Sequence, residues 1–418
     1  LRLATAGSVD DGKSTLVGRL LHDTKSILAD QLAAVEHVSR GRGLETADLA
    51  LLTDGLRAER EQGITIDVAY RYFSTATRTF VLADCPGHVQ YTRNTVTGAS
   101  TADVIVLLVD IRKGVLEQTR RHLAVAALLR VPHVVVAVNK IDLVDFSETA
   151  YEHVRAEVRT LAAELGIADA WSIPVSALDG DNIVDLSPRT PWYAGPALLG
   201  LLEALPSGDD AAHESFRMPV QMVIRPQGAA RDASLREFRG YAGQVSSGAV
   251  TVGDEIVVLP GGQRSIVTGI HLGDATLEHA RSPLSVTVTL RDDLDLSRGD
   301  IIATASDVPE TRRDLDAVVC WLSDRPLRPG ARLLVKHGTR TVNAIVDAVI
   351  GALDLDTITV QPATSLGLND IGEVHIRLAN PLPVEDYSAT RRGGAFLLID
   401  SADGATLAAG LATRRPPG

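Results

Sequence analysis

Short apolar runs alternate with longer amphipathic segments from the start of the chain to about residue 206. The runs are of strand length, such as VIVLLV at 104–109 and VVVAV at 134–138. Strands that alternate with helices in this way predict a doubly wound, mostly parallel sheet with helices on both faces. The predicted strands end at Ala6, Asp84, Asp110, Val138 and Pro174.

One helix is predicted in detail by the segment SETAYEHVRAEVRTLAAELG at 147–166. Ser147 is a preferred N-cap residue, and Gly166 is a preferred residue at a helix end. The apolar residues between them recur at helical spacing, which predicts one buried face. These residues are Val154, Val158, Leu161 and Leu165. The stretch from 25 to 61 also predicts helix, inserted before the next strand.

The pattern changes after PSGDDAAHES at 206–215, where short strands punctuated by Gly, Pro and Asp begin. The segment GYAGQVSSGAVTVGDEIVVLPGG is typical of them, and such segments predict antiparallel barrels or sandwiches. A second break, SDVPETRRD at 306–314, precedes another such set. We therefore expect an α/β domain at 1–207, followed by two all-β barrel domains at 208–308 and 309–418.

Composition narrows the class of protein without identifying it. The 418 residues carry a formal net charge of -12, which argues against a broad surface for nucleic acid, and no apolar run is long enough to span a membrane. Cys85 and Cys320 are the only cysteines. Two are too few for a disulfide framework or a cysteine-rich zinc site, so a cytoplasmic location fits best. The sequence opens at Leu1 inside a predicted strand and without Met, so we expect further residues upstream.

The segment GSVDDGKST at 7–15 has the spacing G-x-x-x-x-G-K-[ST] between a strand and a helix start. Such a loop directs converging backbone N–H groups at a phosphate chain, and its lysine and hydroxyl add a charge and a magnesium ligand. We expect Lys13 at the β- and γ-phosphates, Ser14 at Mg²⁺ and Thr15 near the α-phosphate. The predicted phosphate loop comprises Gly7, Ser8, Val9, Asp10, Asp11, Gly12, Lys13, Ser14 and Thr15.

The stretch ADCPGH at 83–88 places polar groups directly after an apolar run. Asp84 is a candidate to hold the magnesium through water, and Gly87 lets a backbone N–H approach the γ-phosphate. His88 is the candidate catalytic residue, because phosphoryl transfer to water needs a group that orients the attacking water. Taken alone, the same residues also fit an ordinary Pro-Gly turn followed by a surface or packing histidine.

The motif NKID at 139–142 also follows an apolar run and addresses the identity of the base. Asp142 can accept hydrogen bonds from N1–H and the exocyclic amine of guanine, a donor pair that adenine lacks, so the motif favours GTP over ATP. Lys140 would lie along the base, and Asn139 would brace it. A backbone N–H for the guanine oxygen would come from the loop after the strand WSIPV, which consists of Ser176, Ala177 and Leu178.

Thr65, in EREQGITID at 59–67, is a further candidate magnesium ligand. A threonine that binds Mg²⁺ and senses the γ-phosphate would make this segment a switch, ordered by GTP and released on hydrolysis. The order of the motifs along the chain favours this role. The alternative is a helix end followed by a strand start with an ordinary strand threonine.

Together these motifs resemble the translational GTPases of the elongation factor Tu family, and GQVSSGAVTVGDEI in the first predicted barrel matches the same pattern. A closer resemblance is to one branch, the GTPase subunit (subunit 1) of bacterial heterodimeric sulfate adenylyltransferase, or ATP sulfurylase. Arg93 stands where the tRNA carriers typically have Lys, whereas Thr95 departs from the Met usual in both branches. The stretches that carry the closer resemblance are GSVDDGKSTLVGRLLHDTK, LLTDGLRAEREQGITIDVAYRYF, HVQYTRNTVTGASTAD, RKGVLEQTRRH and SALDGDNIVDLSPRTPWYAGPALL.

The resemblance implies a P-loop GTPase with GTP and Mg²⁺ as its nucleotide and metal. Hydrolysis would drive the synthesis of adenosine 5′-phosphosulfate and pyrophosphate by a partner, the catalytic adenylyltransferase subunit that binds ATP and sulfate. No second phosphate-loop motif follows residue 207, so an adenylylsulfate kinase enters only as a further partner. This hypothesis requires neither membrane nor nucleic acid. Two alternatives stay open: an aminoacyl-tRNA carrier whose barrels grip RNA, and a GTP-binding scaffold with negligible turnover.

Overall fold

The computed structural model describes residues 1–27, 68–86, 92–168, 170–207, 210–226, 236–355 and 357–413, with a few single positions between 33 and 49. Contacts within the chain divide it into two compact units. One contains 1–208 together with 354–359, and the other contains 209–353 and 360–418. An apolar core lies between the sheet and the helices of the first unit, and each barrel of the second has its own core.

The described residues of the first unit form the strands β1 Arg2–Gly7, β2 Ala69–Ser74, β3 Thr79–Asp84, β4 Val104–Asp110, β5 His133–Asn139 and β6 Ala170–Pro174. They make one six-stranded sheet in the order β2-β3-β1-β4-β5-β6. Every pairing is parallel except that of β2 with β3. The doubly wound, mostly parallel sheet is confirmed, and the predicted strand ends agree to within one residue.

The helices of this unit with defined bounds are α1 Lys13–Asp23, α2 Thr92–Ala99, α3 Glu117–Leu128, α4 Glu148–Glu164 and α5 Leu198–Ala204. The helix predicted at 147–166 is α4. Ser147 Oγ accepts a hydrogen bond from Ala150 N at 3.3 Å, and Gly166 adopts φ of 71° just after the helix. The predicted apolar face is buried, except that Leu165 is half-buried. The helix predicted at 25–61 lies largely outside the described residues.

The first barrel is built from β7 Arg217–Ile224, β8 Gly240–Gln244, β9 Ala249–Thr251, β10 Glu255–Leu259, β11 Gln263–Leu272, β12 Ala275–Leu277, β13 His279–Arg281, β14 Ser285–Leu290 and β15 Ile301–Thr304. Six of them close a ring in the order β10-β15-β7-β8-β14-β11, because β11 pairs back onto β10. Met218, Val220 and Ile256 belong to its core. Closure leaves the ring without an exposed sheet edge.

The second barrel is built from β16 Arg312–Trp321, β17 Arg332–His337, β18 Arg340–Asp354, β19 Thr359–Pro362, β20 Ile371–Leu382, β21 Ala395–Ile399 and β22 Thr406–Thr413, with a short helix α6 Arg391–Gly394. Its ring runs β17-β21-β22-β16-β20-β18 and closes where β18 pairs with β17. Arg217 of the first barrel pairs with Glu385 of the second at 2.9 Å.

The three sheets together confirm the prediction of an α/β domain followed by two all-β barrels. The boundaries at 207 and 308 stay predictions.

Among the helices that the structure describes, none combines the length and the apolar character needed to cross a lipid bilayer.

Candidate nucleotide-binding site

Polar residues lie where the parallel strands end, along one edge of the sheet. The strand register places Thr5 of β1 beside Asp84 of β3, and Asp110 of β4 beside Asn139 of β5. The predicted phosphate loop leads from the end of β1 into α1. Ligands of open parallel sheets bind outside the carboxyl ends of the strands. The fold thus brings the phosphate loop, Asp84 and the NKID motif to one edge.

The phosphate loop turns sharply from β1 into α1, which begins at Lys13. Gly12 has φ of 94°, and a Cβ there would overlap Nδ2 of Asn139, so the position requires glycine. Two hydrogen bonds close the loop on itself: Ser8 N donates to Asp11 Oδ2 at 2.9 Å, and Asp11 N donates to Ser8 O at 3.2 Å. The first turn of α1 therefore opens onto the loop, an arrangement that binds phosphate groups.

The remaining loop residues differ in exposure. Val9 and Asp10 form the exposed outer part of the loop, and Gly7 is buried at the end of β1. Ser14 and Thr15 are half-buried in the first turn of α1. All nine predicted residues thus lie in one continuous segment, from the last residue of β1 through the loop to the first turn of α1.

Lys13 and Asp84 form a buried ion pair at the inner end of this loop. Nζ of Lys13 lies 2.6 Å from Oδ1 of Asp84, and the two side chains are 8% and 1% exposed. Thr5 Oγ1 donates a hydrogen bond to the same oxygen at 2.9 Å. A buried charge is tolerated when it is paired, and here each side chain faces a partner of opposite charge beside the loop.

These groups fit a magnesium ion that takes few ligands from the protein. No described residue donates a hydrogen bond to Oδ2 of Asp84, and the Ser14 hydroxyl has no partner there either. A carboxylate oxygen and a hydroxyl are hard donors that suit Mg²⁺, which keeps waters and phosphate oxygens as its other ligands. Across the described ranges, no cluster of three or more His, Cys, Asp or Glu side chains could hold a metal ion by itself.

Asn139 joins the phosphate side of the site to the base side. Its Nδ2 donates to the carbonyl oxygen of Asp11 at 2.7 Å, and its Oδ1 accepts from Ala177 N at 2.9 Å. The side chain is 2% exposed. One amide thus holds two loops, one after β1 and one after β6, in a fixed relation.

Lys140 and Asp110 hold the outer side of the phosphate loop. Nζ of Lys140 donates to the carbonyl oxygen of Asp10 and lies 3.0 Å from Oδ2 of Asp110. Burial raises the pKa of the Asp110 carboxyl, but hydrogen bonds from Arg112 and Lys140 outweigh it and hold that pKa well below its ordinary value. Asp110 is therefore ionised at neutral pH and anchors Lys140 beside the loop.

Asp142 and the loop at 176–178 lie on the base side. Asp142 is half-exposed in a short 3-10 turn, Ile141–Val144, that follows Lys140. Ser176 and Ala177 are buried, whereas Leu178 is 61% exposed. Ser176 N pairs with the carbonyl oxygen of Asp181 at 3.3 Å, which closes the loop.

Three contributors to the site were not predicted from the sequence. Lys113 lies 3.6 Å from Oδ1 of Asp11, and Arg112 lies 2.7 Å from Oδ2 of Asp110. Arg19 of α1 donates hydrogen bonds to the loop at 176–178. The sequence did offer a signal for Asp110, the partner of Arg112. Asp110 comes directly after the apolar run VIVLLV, and polar residues at the ends of parallel strands line such sites.

Thr65, Gly87 and His88 lie outside the described residues. Their roles at Mg²⁺, the γ-phosphate and the attacking water stay predictions. No side-chain position is described for Arg93. Thr95 is buried in α2, and its hydroxyl has no hydrogen-bond partner among the described residues.

Comparisons with known proteins address the family. The family profile described as "Elongation factor Tu GTP binding domain" matches residues 1–207. A second profile, "GTP-eEF1A C-terminal domain-like", matches residues 314–413. The matches span the α/β domain and the second barrel, in the order that the sequence predicts.

Relatives match over almost the whole chain. The "Bifunctional enzyme CysN/CysC" of Mycobacterium tuberculosis is 50% identical over 416 residues, which cover 99% of this chain and 67% of the relative. The "Sulfate adenylyltransferase subunit 1" of a Sulfurovum species is 46% identical over 98% of this chain and 86% of its own length. The protein of that name from Chromobacterium violaceum is 47% identical over 98% and 85%.

These matches distinguish between the branches that the motifs left open. The relatives reported carry names from sulfate activation, they match the barrels as well as the α/β domain, and the profile match adds GTP binding to that domain. They favour the sulfate adenylyltransferase branch over the aminoacyl-tRNA carrier. The chain belongs to the sulfate adenylyltransferase subunit 1 family of elongation factor Tu-like GTPases.

Proposed function

We propose that this chain binds GTP at the sheet edge, hydrolyses it, and thereby drives sulfate adenylation by a partner subunit. The observation that carries the proposal is the pair of hydrogen bonds of Asn139, one donated to Asp11 O and one accepted from Ala177 N, which ties the phosphate loop to the loop at 176–178. A nucleotide has its phosphates at one end and its base at the other. A single buried side chain that fixes both loops suits such a ligand.

Different residues would contact the phosphates, the base and the magnesium ion of the bound GTP. Lys13 carries the positive charge for the β- and γ-phosphates, and the first turn of α1 supplies N–H donors. Asp142 selects guanine through N1–H and the exocyclic amine. Ser14 and Asp84, together with Thr65 from outside the described residues, would hold Mg²⁺, which supplies positive charge to the phosphate oxygens when bound.

Hydrolysis is assigned to the segment after β3. Gly87 would offer its backbone N–H to the γ-phosphate, and the His88 imidazole would orient the attacking water. Both follow Asp84, whose carboxylate lies at the carboxyl end of β3. The strand end thus sets where the segment begins, at the edge that carries the phosphate loop.

The link to sulfate follows from the energetics of the partner's reaction. Joining sulfate to the adenylyl group of ATP forms a phosphate–sulfate anhydride, which is uphill and needs a second source of free energy. Hydrolysis of GTP supplies it if the partner binds the GTP and GDP states with different affinity. The relatives' name, "subunit 1", supports such a partner. An adenylylsulfate kinase would consume the product.

A cytoplasmic location completes the proposal. Cys85 and Cys320 are both buried, and neither forms a disulfide with another described residue. Buried cysteines that form no disulfide are typical of proteins from a reducing compartment.

The experiment that tests the proposal is a reconstitution. The chain is purified with its co-eluting subunit, and sulfate-dependent release of pyrophosphate from ATP is measured with and without GTP. We expect GTP to raise the release, together with stoichiometric formation of GDP. Release that does not depend on GTP, alongside tight binding of aminoacyl-tRNA, would reverse the assignment to the carrier branch.

Two variants separate binding from hydrolysis. Lys13→Ala should abolish GTP binding, whereas His88→Ala should retain it and lower the hydrolysis rate by about two orders of magnitude. Lys336→Ala is the matched control, because Lys336 is exposed on the second barrel. Unchanged GTP affinity in Lys13→Ala would contradict the phosphate-loop assignment, and wild-type turnover in His88→Ala would contradict the role of the histidine.

A further inference from the structure

Arg19 connects α1 to the loop that faces the base. Its Nε donates a hydrogen bond to the carbonyl oxygen of Ala177 at 3.3 Å, and Nη2 donates to the carbonyl oxygen of Leu178. Nη1 lies 3.7 Å from Oδ1 of Asp23, one turn further along α1. The guanidinium is thus held on its own helix and contacts two successive carbonyls of the loop.

In the loop at 176–178, the backbone N–H of Leu178 is the donor without an acceptor among the described residues. The N–H of Ala177 already donates to Oδ1 of Asn139 at 2.9 Å, and that of Asp179 donates to Ser176 Oγ at 3.2 Å. No described residue accepts from Leu178 N. Of the peptide groups from 177 to 179, the one with an unengaged N–H therefore joins Ala177 to Leu178.

That peptide group is the one that Arg19 contacts through Nε. The carbonyl of Ala177 and the N–H of Leu178 belong to the same planar, trans unit, so they point in opposite directions. A donor that fixes the carbonyl also fixes the direction of the N–H. The second bond, to the carbonyl of Leu178, restrains the next peptide in the same way.

We propose that Arg19 is a positioning residue for guanine recognition: it orients the Leu178 N–H toward the guanine O6 atom. This inference rests on the proposed GTP site. It also explains the choice of arginine, because the fork of the guanidinium reaches two adjacent carbonyls, whereas a lysine offers one point of attachment. Since α1 begins at the phosphate loop, the same helix sets both the phosphate and the base contacts.

The test uses three nucleotides that separate the base contacts. GDP has every group, inosine diphosphate lacks the exocyclic amine that faces Asp142, and 6-thio-GDP replaces O6 by a weakly accepting sulfur. Dissociation constants are measured by calorimetry for the wild type and for Arg19→Gln. We expect the variant to bind GDP and inosine diphosphate about tenfold more weakly. Its preference for GDP over 6-thio-GDP should fall at least threefold, while its preference for GDP over inosine diphosphate stays unchanged.

Arg155→Gln is the matched control, because Arg155 is 51% exposed on α4 and pairs with Glu152 of the same helix. It should leave both preferences unchanged. A merely structural role for Arg19 would weaken all three nucleotides equally, and that result overturns the inference, as does an unchanged affinity for GDP. If Arg19→Gln does not fold, Arg19→Lys is measured instead: a lowered preference over 6-thio-GDP supports the inference, and a wild-type preference overturns it. Wild-type protein that binds none of the nucleotides would refute the GTP site itself, whereas the outcomes above bear on Arg19 alone.

Discussion

Asn139 offers the sharpest single perturbation of the site. Asn139→Ala removes the bond to Asp11 O at 2.7 Å and the bond from Ala177 N at 2.9 Å, both at a position 2% exposed. Each neutral buried hydrogen bond contributes about 1 kcal/mol net, and leaving its partner unsatisfied costs roughly 1–3 kcal/mol. The two bonds together therefore contribute on the order of 2–4 kcal/mol to the arrangement of the two loops.

That free energy should appear mainly in nucleotide binding. Without Asn139 the ligand has to order both loops itself, so we expect the dissociation constant for GDP to rise at least about 30-fold, which corresponds to about 2 kcal/mol. Calorimetry at fixed Mg²⁺ concentration measures it, and urea unfolding of the free protein shows how much of the cost appears as lost stability. Asn343→Ala, at an exposed position of β18, is the matched control.

Asn139→Asp tests the two halves separately. The aspartate keeps an acceptor for Ala177 N but places a carboxylate oxygen against the carbonyl of Asp11, so it should weaken binding at least as much as alanine does. If either variant binds GDP like the wild type, the arrangement of the two loops does not depend on the hydrogen bonds of Asn139. The structural basis proposed for GTP binding would then be wrong.

Three further predictions concern the first unit. Gly12→Ala should weaken GDP binding more than 100-fold in the same calorimetric assay, because the left-handed backbone and the overlap with Asn139 leave no room for a methyl group; near-normal affinity would show that the loop can rearrange. Thr95→Val should raise the free energy of unfolding by about 1 kcal/mol in urea, because no described residue hydrogen-bonds to the buried hydroxyl; a loss of stability would reveal a partner. Burial lowers the pKa of His122 to about 4, so the folded state resists a proton that the unfolded chain binds near pH 6.5. Stability should thus fall as pH drops below 6.5, by about 2 kcal/mol more at pH 5 in the wild type than in His122→Gln; equal slopes would place His122 in contact with water.

The sequence was informative wherever hydrophobic pattern and backbone geometry act locally. Apolar runs predicted the parallel strands because a buried strand must exclude polar groups along its length, and the first polar residue after the run marks the strand end. Asp84 and Asp110 are such residues. The cap of α4 at Ser147 was predictable because a capping side chain accepts a hydrogen bond from its own helix, so no distant segment is involved.

Contacts between distant segments could not be predicted in this way. Arg19 and the loop at 176–178 are far apart in the sequence, and no periodicity links an arginine on α1 to two carbonyls after β6. The pairing of Lys13 with Asp84 depends on the register of β1 with β3, which the apolar pattern does not specify. Contacts of this kind can be predicted only once the order and register of the strands are known.

The strand order also separates binding from switching. The segments that would hold the nucleotide follow β1, β5 and β6, whereas Thr65 precedes β2 and His88 follows β3. These two strands form an antiparallel pair at one side of the sheet, from Ala69 opposite Asp84 to Ser74 opposite Thr79. The candidate γ-phosphate sensor, Thr65, and the candidate water-orienting residue, His88, therefore adjoin in sequence the same end of one strand pair. Variants of Asn139 should change affinity for GDP and GTP alike, while variants of His88 should change only the rate at which GTP becomes GDP.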